Sequence, residues 1–156
     1  MNSEDLQIRG MTRGDLDRVM EVAQGLKTAP QWSRDAYQAA LNPAGMPRRV
    51  ALVATKAVGT IVGFAVASLL PPQAELEMIA VAAEEQRRGV ARRLFAELVN
   101  KIRVAHVTEI ILEVRASNDP AIDLYNSLGF RHIGCRPAYY ADPVEDAVLM
   151  SEQITT

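Results

Sequence analysis

The sequence predicts a mixed α/β (α+β) fold in a single domain covering residues 1–156, with about seven strands in one central sheet and about four flanking helices. Two observations support this fold class. Short runs rich in apolar and β-branched residues alternate along the chain with segments whose apolar residues recur at helical spacing. No internal repeat, low-complexity segment or linker interrupts this alternation.

The N-terminal quarter is predicted to form one strand and two helices. Ile8–Met11 reads as a short strand, and Thr12 caps a helix that runs to about Gly25. Ser33 is the expected N-cap of a second, shorter helix. That helix ends before Pro43, because proline cannot continue it.

Three strands are predicted next. Arg49–Thr55 and Thr60–Leu70 form an antiparallel pair joined near Gly59. The Pro71-Pro72 pair ends the second of these strands, since proline cannot donate to a sheet. A fourth strand covers about Ala74–Val81.

The remaining elements alternate between helix and strand. An amphipathic helix from Arg88 to about Val104 precedes a fifth strand, Ile110–Val114, which has apolar residues on both faces as in a buried parallel strand. Asp119-Pro120 begins another helix with proline in its first turn. Gly129 ends that helix. Two closing strands complete the prediction: Phe130–Cys135 and Ala147–Ser151.

The composition indicates a soluble globular protein of a reducing compartment, and we expect a cytoplasmic location. Hydrophobic residues make up 49% of the chain and charged residues 23%, and the net charge of −2 gives no reason to expect nucleic-acid binding. The apolar stretch Ile61–Leu70 is too short to span a membrane. The acidic start Met1–Asp5 is not followed by the apolar core of a signal peptide. Cys135 is the only cysteine, which excludes an internal disulfide, and we interpret it as a packing residue. We expect no metal site.

The segment between the fourth strand and the following helix indicates an anion site. The first N–H groups of a helix lack intrahelical acceptors and, with the helix dipole, favour a phosphate. The small residues Gly89 and Ala91 allow a ligand to approach the backbone closely. The alternative is an ordinary turn before a helix. The residues assigned to this site are Gln86, Arg87, Arg88, Gly89, Val90 and Ala91.

This pattern, Gln-x-x-Gly-x-Ala after a strand, and two later segments resemble the GNAT family of acetyl-CoA-dependent N-acetyltransferases. The later segments are Leu112–Asn118 (LEVRASN) and Leu124–Phe130 (LYNSLGF). Within the family, the chain is most similar to the bacterial ribosomal-protein-alanine N-acetyltransferases of the RimI type, as Arg136–Tyr140 (RPAYY) and Val144–Met150 (VEDAVLM) indicate.

The resemblance implies a GNAT fold in which the parallel fourth and fifth strands splay apart to admit acetyl-CoA as cosubstrate. It further implies that Asn118 hydrogen-bonds the pantetheine arm, although its position alone predicts a turn or capping residue. Backbone groups of Ile79, Ala80 and Val81 would contact the same arm in a strand-like manner. The N–H of Val81 would also stabilise the developing oxyanion.

Glu113 interrupts the apolar run of the fifth strand, where a carboxylate is costly unless it is paired or functional. Spacing alone favours a solvated or ion-paired face shared by Glu109, Glu113 and Arg115. The resemblance instead assigns Glu113 as the general base. Because some acetyltransferases of this fold place the base on the fourth strand, Glu77 is the rival candidate.

Tyr125 lies on the apolar side of its helix, where spacing alone predicts a core tyrosine. The resemblance assigns it as the proton donor to the departing sulfur. An α-ammonium of pKa ~8 must lose a proton before it attacks, and a thiolate of pKa ~8.5 gains from an adjacent acid. Cys135 lies outside the motifs, so we expect direct attack in a ternary complex.

The acceptor that the resemblance implies is a protein or peptide N-terminus, namely the N-terminal alanine of a small-subunit ribosomal protein. Trp32, Tyr139 and Tyr140 are candidates to line a peptide groove. Two alternatives are a small-amine acetyltransferase, acting on a polyamine or amino acid, and a non-catalytic acyl-CoA-binding module. Met78 stands where the RimI type commonly has Asn, and Ala91 replaces the commoner glycine.

Overall fold

Seven strands form one sheet within residues 5–26 and 29–154, the part of the chain that the computed structural model describes; the start of the chain, residues 1–4, lies outside it. The strands are β1 Gln7–Gly10, β2 Arg48–Thr55, β3 Ile61–Leu70, β4 Gln73–Val81, β5 Glu109–Arg115, β6 Arg131–Tyr140 and β7 Glu145–Gln153. The α-helices are α1 Leu16–Gln24, α2 Arg34–Leu41, α3 Val90–Arg103 and α4 Asp119–Ser127. The predicted mixed fold is therefore confirmed.

The strands lie in the order β1-β2-β3-β4-β5-β7-β6. Every neighbouring pair is antiparallel except β4 and β5, which are parallel. Parallel neighbours need a crossover connection, and α3 supplies it. None of the helices in the described residues is long and apolar enough to cross a membrane.

β4 and β5 pair only at their first residues and then diverge. The parallel register begins at Gln73 and ends at Glu75, which lies opposite Ile111. Glu77 then forms a bulge on β4, because it has no partner on β3. A bulge bends a strand and increases its twist. The predicted splay is confirmed, and it leaves one edge of each strand open towards the other.

Helices cover both faces of the sheet and fix the position of this gap. On one face, α3 buries Leu94, Leu98 and Ile102 completely, at the helical spacing that the sequence shows. On the other face, α1 and α2 cover a second core, in which the ring of Tyr37 meets the edge of Phe64 at a centroid distance of 6.1 Å.

Ser33 caps α2 as predicted, whereas α1 begins three residues later than expected: Thr12 starts the 3₁₀ turn Arg13–Asp15, and Asp15 is the N-cap of α1. The backbone N–H of Thr12 donates to the carboxylate of Asp15 at 2.7 Å, ahead of α1. Arg9 donates two further hydrogen bonds to Asp15, each 2.8 Å long, and these lower the pKa of Asp15 to about 2. The hydroxyl of Ser33 accepts from the N–H of Ala36 and so caps α2.

Two expectations for the C-terminal strands were wrong. β6 continues past Cys135 to Tyr140, because Pro137 is tolerated on an outermost strand. Cys135 is exposed and does not pack in the core.

β5 also differs from the expected strand buried on both faces. Its residues alternate between buried and half-buried, since one face packs under α3 and the other lies on the opposite face of the sheet.

Candidate active site

The gap between β4 and β5 exposes backbone groups of β4. The N–H of Ala82 donates to a β3 carbonyl at 2.8 Å. Because backbone groups alternate sides along a strand, the groups of Ala80 also turn towards β3, whereas the N–H groups of Ile79 and Val81 point into the gap. The side-chain amide of Gln86 donates to the carbonyl of Val81 at 3.1 Å and so ties the following loop to this edge.

The segment Gln86–Ala91, hereafter the phosphate loop, leads from this edge into α3. Gly89 caps the helix with φ +82°, and Arg87 also has a positive φ, +64°. A Cβ atom added to Gly89 would meet nothing within 4 Å, so the space at the start of the helix is open. The N–H groups of the first turn have no intrahelical acceptors. An anion can therefore reach them.

Three carboxylates lie on the side of the splayed strands opposite α3, and their partners differ. Arg49 donates to Glu77 twice, with Nε–Oε2 at 2.7 Å and an Nη–Oε1 distance of 3.3 Å. Arg136 Nε lies 3.5 Å from Oε1 of Glu113. Within the described residues, Glu75 makes no hydrogen bond or ion pair. Burial raises the pKa of Glu75, and the charges of Glu77 and Glu113 raise it further.

Only 21% of the Glu113 side chain is exposed on this side of the sheet. Hydrogen bonding to Glu113 raises the pKa of Tyr139, whose ring lies edge-on to that of Tyr140 at 5.1 Å. The guanidinium of Arg115 lies 4.3 Å above the ring of Tyr140. The end of β6 therefore surrounds Glu113 with polar and aromatic groups. The sequence did not indicate this arrangement, because β6 was expected to end at Cys135.

Tyr125 is half-buried on α4, where its ring packs against Phe130 at 5.9 Å. Burial, with a smaller contribution from Tyr140, raises the pKa of Tyr125 to about 12. Its hydroxyl is therefore protonated at neutral pH. Tyr140 therefore interacts electrostatically with both predicted catalytic groups, Glu113 and Tyr125.

Asn118 caps α4 just beyond the end of β5. Its side-chain oxygen accepts from the N–H of Ala121 at 3.3 Å, which confirms the capping role that position alone predicted. Nearby, the carboxylate of Glu145 accepts from the N–H of Ser117 at 2.6 Å and from Arg115 at 3.4 Å. These bonds fix the loop that presents Asn118 beside the gap.

Within residues 5–26 and 29–154, no group of three or more His, Cys, Asp and Glu side chains could hold a metal ion. The gap, the phosphate loop and the three carboxylates together form the candidate site. Residues 16–130 match the model of the acetyltransferase (GNAT) family.

Individual relatives agree with this match. The chain is 36% identical over 154 residues to the N-alpha-acetyltransferase RimI of Mycobacterium tuberculosis, covering 96% of this chain and 93% of that protein. It is 34% identical over 157 residues to an uncharacterised protein of Mycobacterium leprae, covering 97% of this chain but only 42% of the relative's length. The crystal structure of the ribosomal-protein-S18-alanine N-acetyltransferase from Escherichia coli superposes with a TM-score of 0.80 at 31% identity, over 97% of this chain and 95% of that one.

Proposed function

The chain belongs to the acetyltransferase (GNAT) family, and we propose that it transfers the acetyl group of acetyl-CoA to the α-amine of a protein N-terminus. The observation that carries this proposal is the gap between β4 and β5, which has the phosphate loop at one end and Glu113 beside it. The names of the Mycobacterium tuberculosis and Escherichia coli relatives support an N-terminal acceptor.

The residues beside the gap fit acetyl-CoA, which would supply the activated thioester. The N–H groups of the phosphate loop would bind its pyrophosphate, with Arg87 and Arg88 alongside. The outward N–H groups of Ile79 and Val81 would bind the pantetheine arm as an added strand does. Asn118 would hydrogen-bond the same arm.

Glu113 and Tyr125 divide the proton transfers between them. Glu113 accepts a proton from the α-ammonium through a water molecule, and the neutral amine then attacks the thioester carbonyl. The N–H of Val81 stabilises the negative charge that develops on the carbonyl oxygen. As the C–N bond forms and the C–S bond breaks, Tyr125 donates its proton to the leaving sulfur, and the second proton that the nitrogen releases on becoming an amide restores the neutral hydroxyl of Tyr125. The amine attacks directly, without an acetylated enzyme.

We propose that the acceptor is the N-terminal alanine of a small-subunit ribosomal protein, which would place the enzyme in the cytoplasm. An extended N-terminus can enter the gap and hydrogen-bond an open strand edge. Tyr139 and Tyr140 stand beside the base and are suited to contact the first residues of such a peptide.

A small-amine acceptor is the second candidate, and one observation favours it. The acceptor-facing side carries three carboxylates, Glu75, Glu77 and Glu113, against the two cations Arg49 and Arg136. Excess negative charge attracts a polycation such as a polyamine. The presence of both a proposed base, Glu113, and a proposed acid, Tyr125, argues against a non-catalytic acyl-CoA-binding module.

Mass spectrometry of acceptors incubated with acetyl-CoA tests the proposal. Peptides beginning with Ala, Ser or Met are compared with the same peptides carrying a blocked N-terminus and an internal Lys, and with spermidine. We expect acetylation of the free α-amines, the Ala peptide fastest, and none of the blocked peptides. Acetylation confined to spermidine or lysine would establish a different acceptor class, and no thiol release with any acceptor would favour a binding module.

A further inference from the structure

A buried ion pair lies directly before the phosphate loop, and the proposed reaction does not use it. Glu85 ends the 3₁₀ turn Ala83–Glu85 and is only 4% exposed. One carboxylate oxygen pairs with the ammonium of Lys56, on the turn between β2 and β3. The other lies 3.6 Å from Arg88 and has no hydrogen-bond partner in the described part of the chain.

The location of Glu85 is unfavourable for phosphate binding if charge alone is considered. A carboxylate beside an anion site repels the anion, and its burial costs free energy unless it is paired. Hydrogen bonding from Lys56 lowers the pKa of Glu85 against the opposing effect of burial, so the carboxylate is ionised at neutral pH. A favourable contribution of Glu85 to phosphate binding must therefore come from its position.

The ion pair joins two elements that are distant in sequence. Lys56 is held in its turn at both backbone groups: its N–H donates to Thr60 at 2.9 Å, and its carbonyl accepts from Gly59 at 2.7 Å. Glu85 immediately precedes the phosphate loop, in which Arg87 adopts a left-handed conformation that costs an L-residue free energy. Anchoring Glu85 to a fixed turn restrains the start of this loop.

We propose that Glu85 is a positioning residue for acetyl-CoA: it anchors the phosphate loop to Lys56 and orients the guanidinium of Arg88 towards the pyrophosphate. Lys56, Arg88 and Glu85 together carry one net positive charge, so this group of side chains still attracts phosphate. The inference rests on the proposed function only in taking acetyl-CoA as the ligand of the phosphate loop.

Whether Glu85→Gln binds CoA more tightly or more weakly than the wild-type protein tests this role. Glu85→Gln removes a negative charge near the phosphates, so charge alone predicts tighter binding of CoA. If Glu85 positions the loop, Glu85→Gln should bind CoA about tenfold more weakly, which is the loss expected when one charge-assisted hydrogen bond is removed. Calorimetric titration with CoA measures the difference, and kcat at saturating acetyl-CoA should stay within about twofold of wild type.

Glu84→Gln is the matched control. It makes the same charge change one residue earlier, at a side chain that is 70% exposed, and it should bind CoA as tightly as wild type or slightly more tightly. If folded Glu85→Gln behaves like Glu84→Gln, the proposal is overturned. Failure of the wild-type protein to bind CoA would instead contradict the proposed function.

Glu85→Asp provides a second test should Glu85→Gln prove too unstable to assay. It keeps the charge but shortens the side chain by one methylene group, so weaker CoA binding would report position and not charge. Lys56→Gln should weaken binding similarly, and the Lys56→Gln/Glu85→Gln double variant should bind no more weakly than Glu85→Gln alone, because either change breaks the same pair. Wild-type affinity in Glu85→Asp, or fully additive losses in the double variant, would contradict the anchoring role.

Discussion

Arg49 on β2 reaches across β3 and binds both carboxylate oxygens of Glu77 on β4. Only 22% of the Arg49 side chain and 17% of the Glu77 side chain are exposed, so the pair is largely withdrawn from water. A carboxylate held in this way is poorly placed to accept a proton from an incoming amine. The pair therefore favours Glu113 over Glu77 as the general base.

We expect Glu113→Gln to lower kcat by about 10²-fold or more, the usual contribution of a positioned general base. The loss should be greatest below neutral pH, where the amine is mostly protonated. Glu77→Gln should change kcat by less than about threefold but lower stability, because it leaves Arg49 without its charged partner. Steady-state rates on a verified peptide and urea unfolding separate the two effects. A rate loss in Glu77→Gln with near-normal Glu113→Gln would place the base on β4.

Tyr125→Phe should slow turnover by about 10²-fold with little change in the Kd for acetyl-CoA. Because burial raises the pKa of Tyr125 to about 12, the wild-type hydroxyl stays protonated throughout the range in which the amine titrates. The rate of the wild-type enzyme should accordingly show no loss from Tyr125 ionisation up to about pH 10. Weaker acetyl-CoA binding as the main defect of the variant would indicate a packing role.

Gly89→Glu should abolish acetyl-CoA binding, since it places a carboxylate in the open space at the start of α3. Gly89→Ala is the matched variant: it adds a side chain at the same φ of +82°, at a cost of about 1–2 kcal/mol in stability, without adding charge. It should retain measurable binding. Equal affinity of the Glu and Ala variants in calorimetry would mean that the phosphates lie elsewhere.

Cys135→Ala should keep at least half of the wild-type activity, because the thiol is exposed on β6 and takes no part in the proposed transfer. The variant also tests for a covalent route, since no other cysteine is present. A large loss of turnover with the fold intact would revive an acetyl-enzyme. Intact-mass measurement after mixing with acetyl-CoA alone checks the same point.

Asp15 should make folding stability depend on acid pH. Its pKa of about 2 in the folded protein lies below the value of about 3.9 for an unfolded chain, so its contribution is complete above about pH 5 and declines as pH falls towards 2. We expect Asp15→Asn to cost about 2 kcal/mol at pH 7 and progressively less below pH 4. Asp17→Asn, at an exposed position, is the control. A pH-independent difference in urea unfolding would contradict the assignment.

Local periodicity accounts for the part of the fold that could be predicted from sequence. Leu94, Leu98 and Ile102 recur at helical spacing and are all buried on the inner side of α3, and Ser33 caps α2 as its position predicts. The splay of β4 and β5 was implied only by family resemblance, because no local pattern specifies where two distant strands separate.

The groups around the predicted base depend on contacts between distant segments, which periodicity does not show. Arg49 and Glu77 are 28 residues apart, and Arg136 approaches Glu113 from a strand that was expected to end at Cys135. Proline suggests the end of a strand unless that strand is known to lie at the edge of a sheet. Edge position depends on the global order of strands.

The bulge at Glu77 adds to β4 one residue that has no partner on β3. Before it, Leu76 packs with the α3 core; after it, Met78 packs with the core under α1 and α2, although the two are only two residues apart. Deleting Glu77 would restore strict alternation and leave Met78, Ile79, Ala80 and Val81 on the faces that they already occupy, but it would remove the extra residue that bends the strand. The extra residue is therefore not needed to assign side chains to the two cores. Its structural effect is the local bend of β4 beside the gap: a substitution at position 77 can keep this bend, whereas a deletion would straighten the strand.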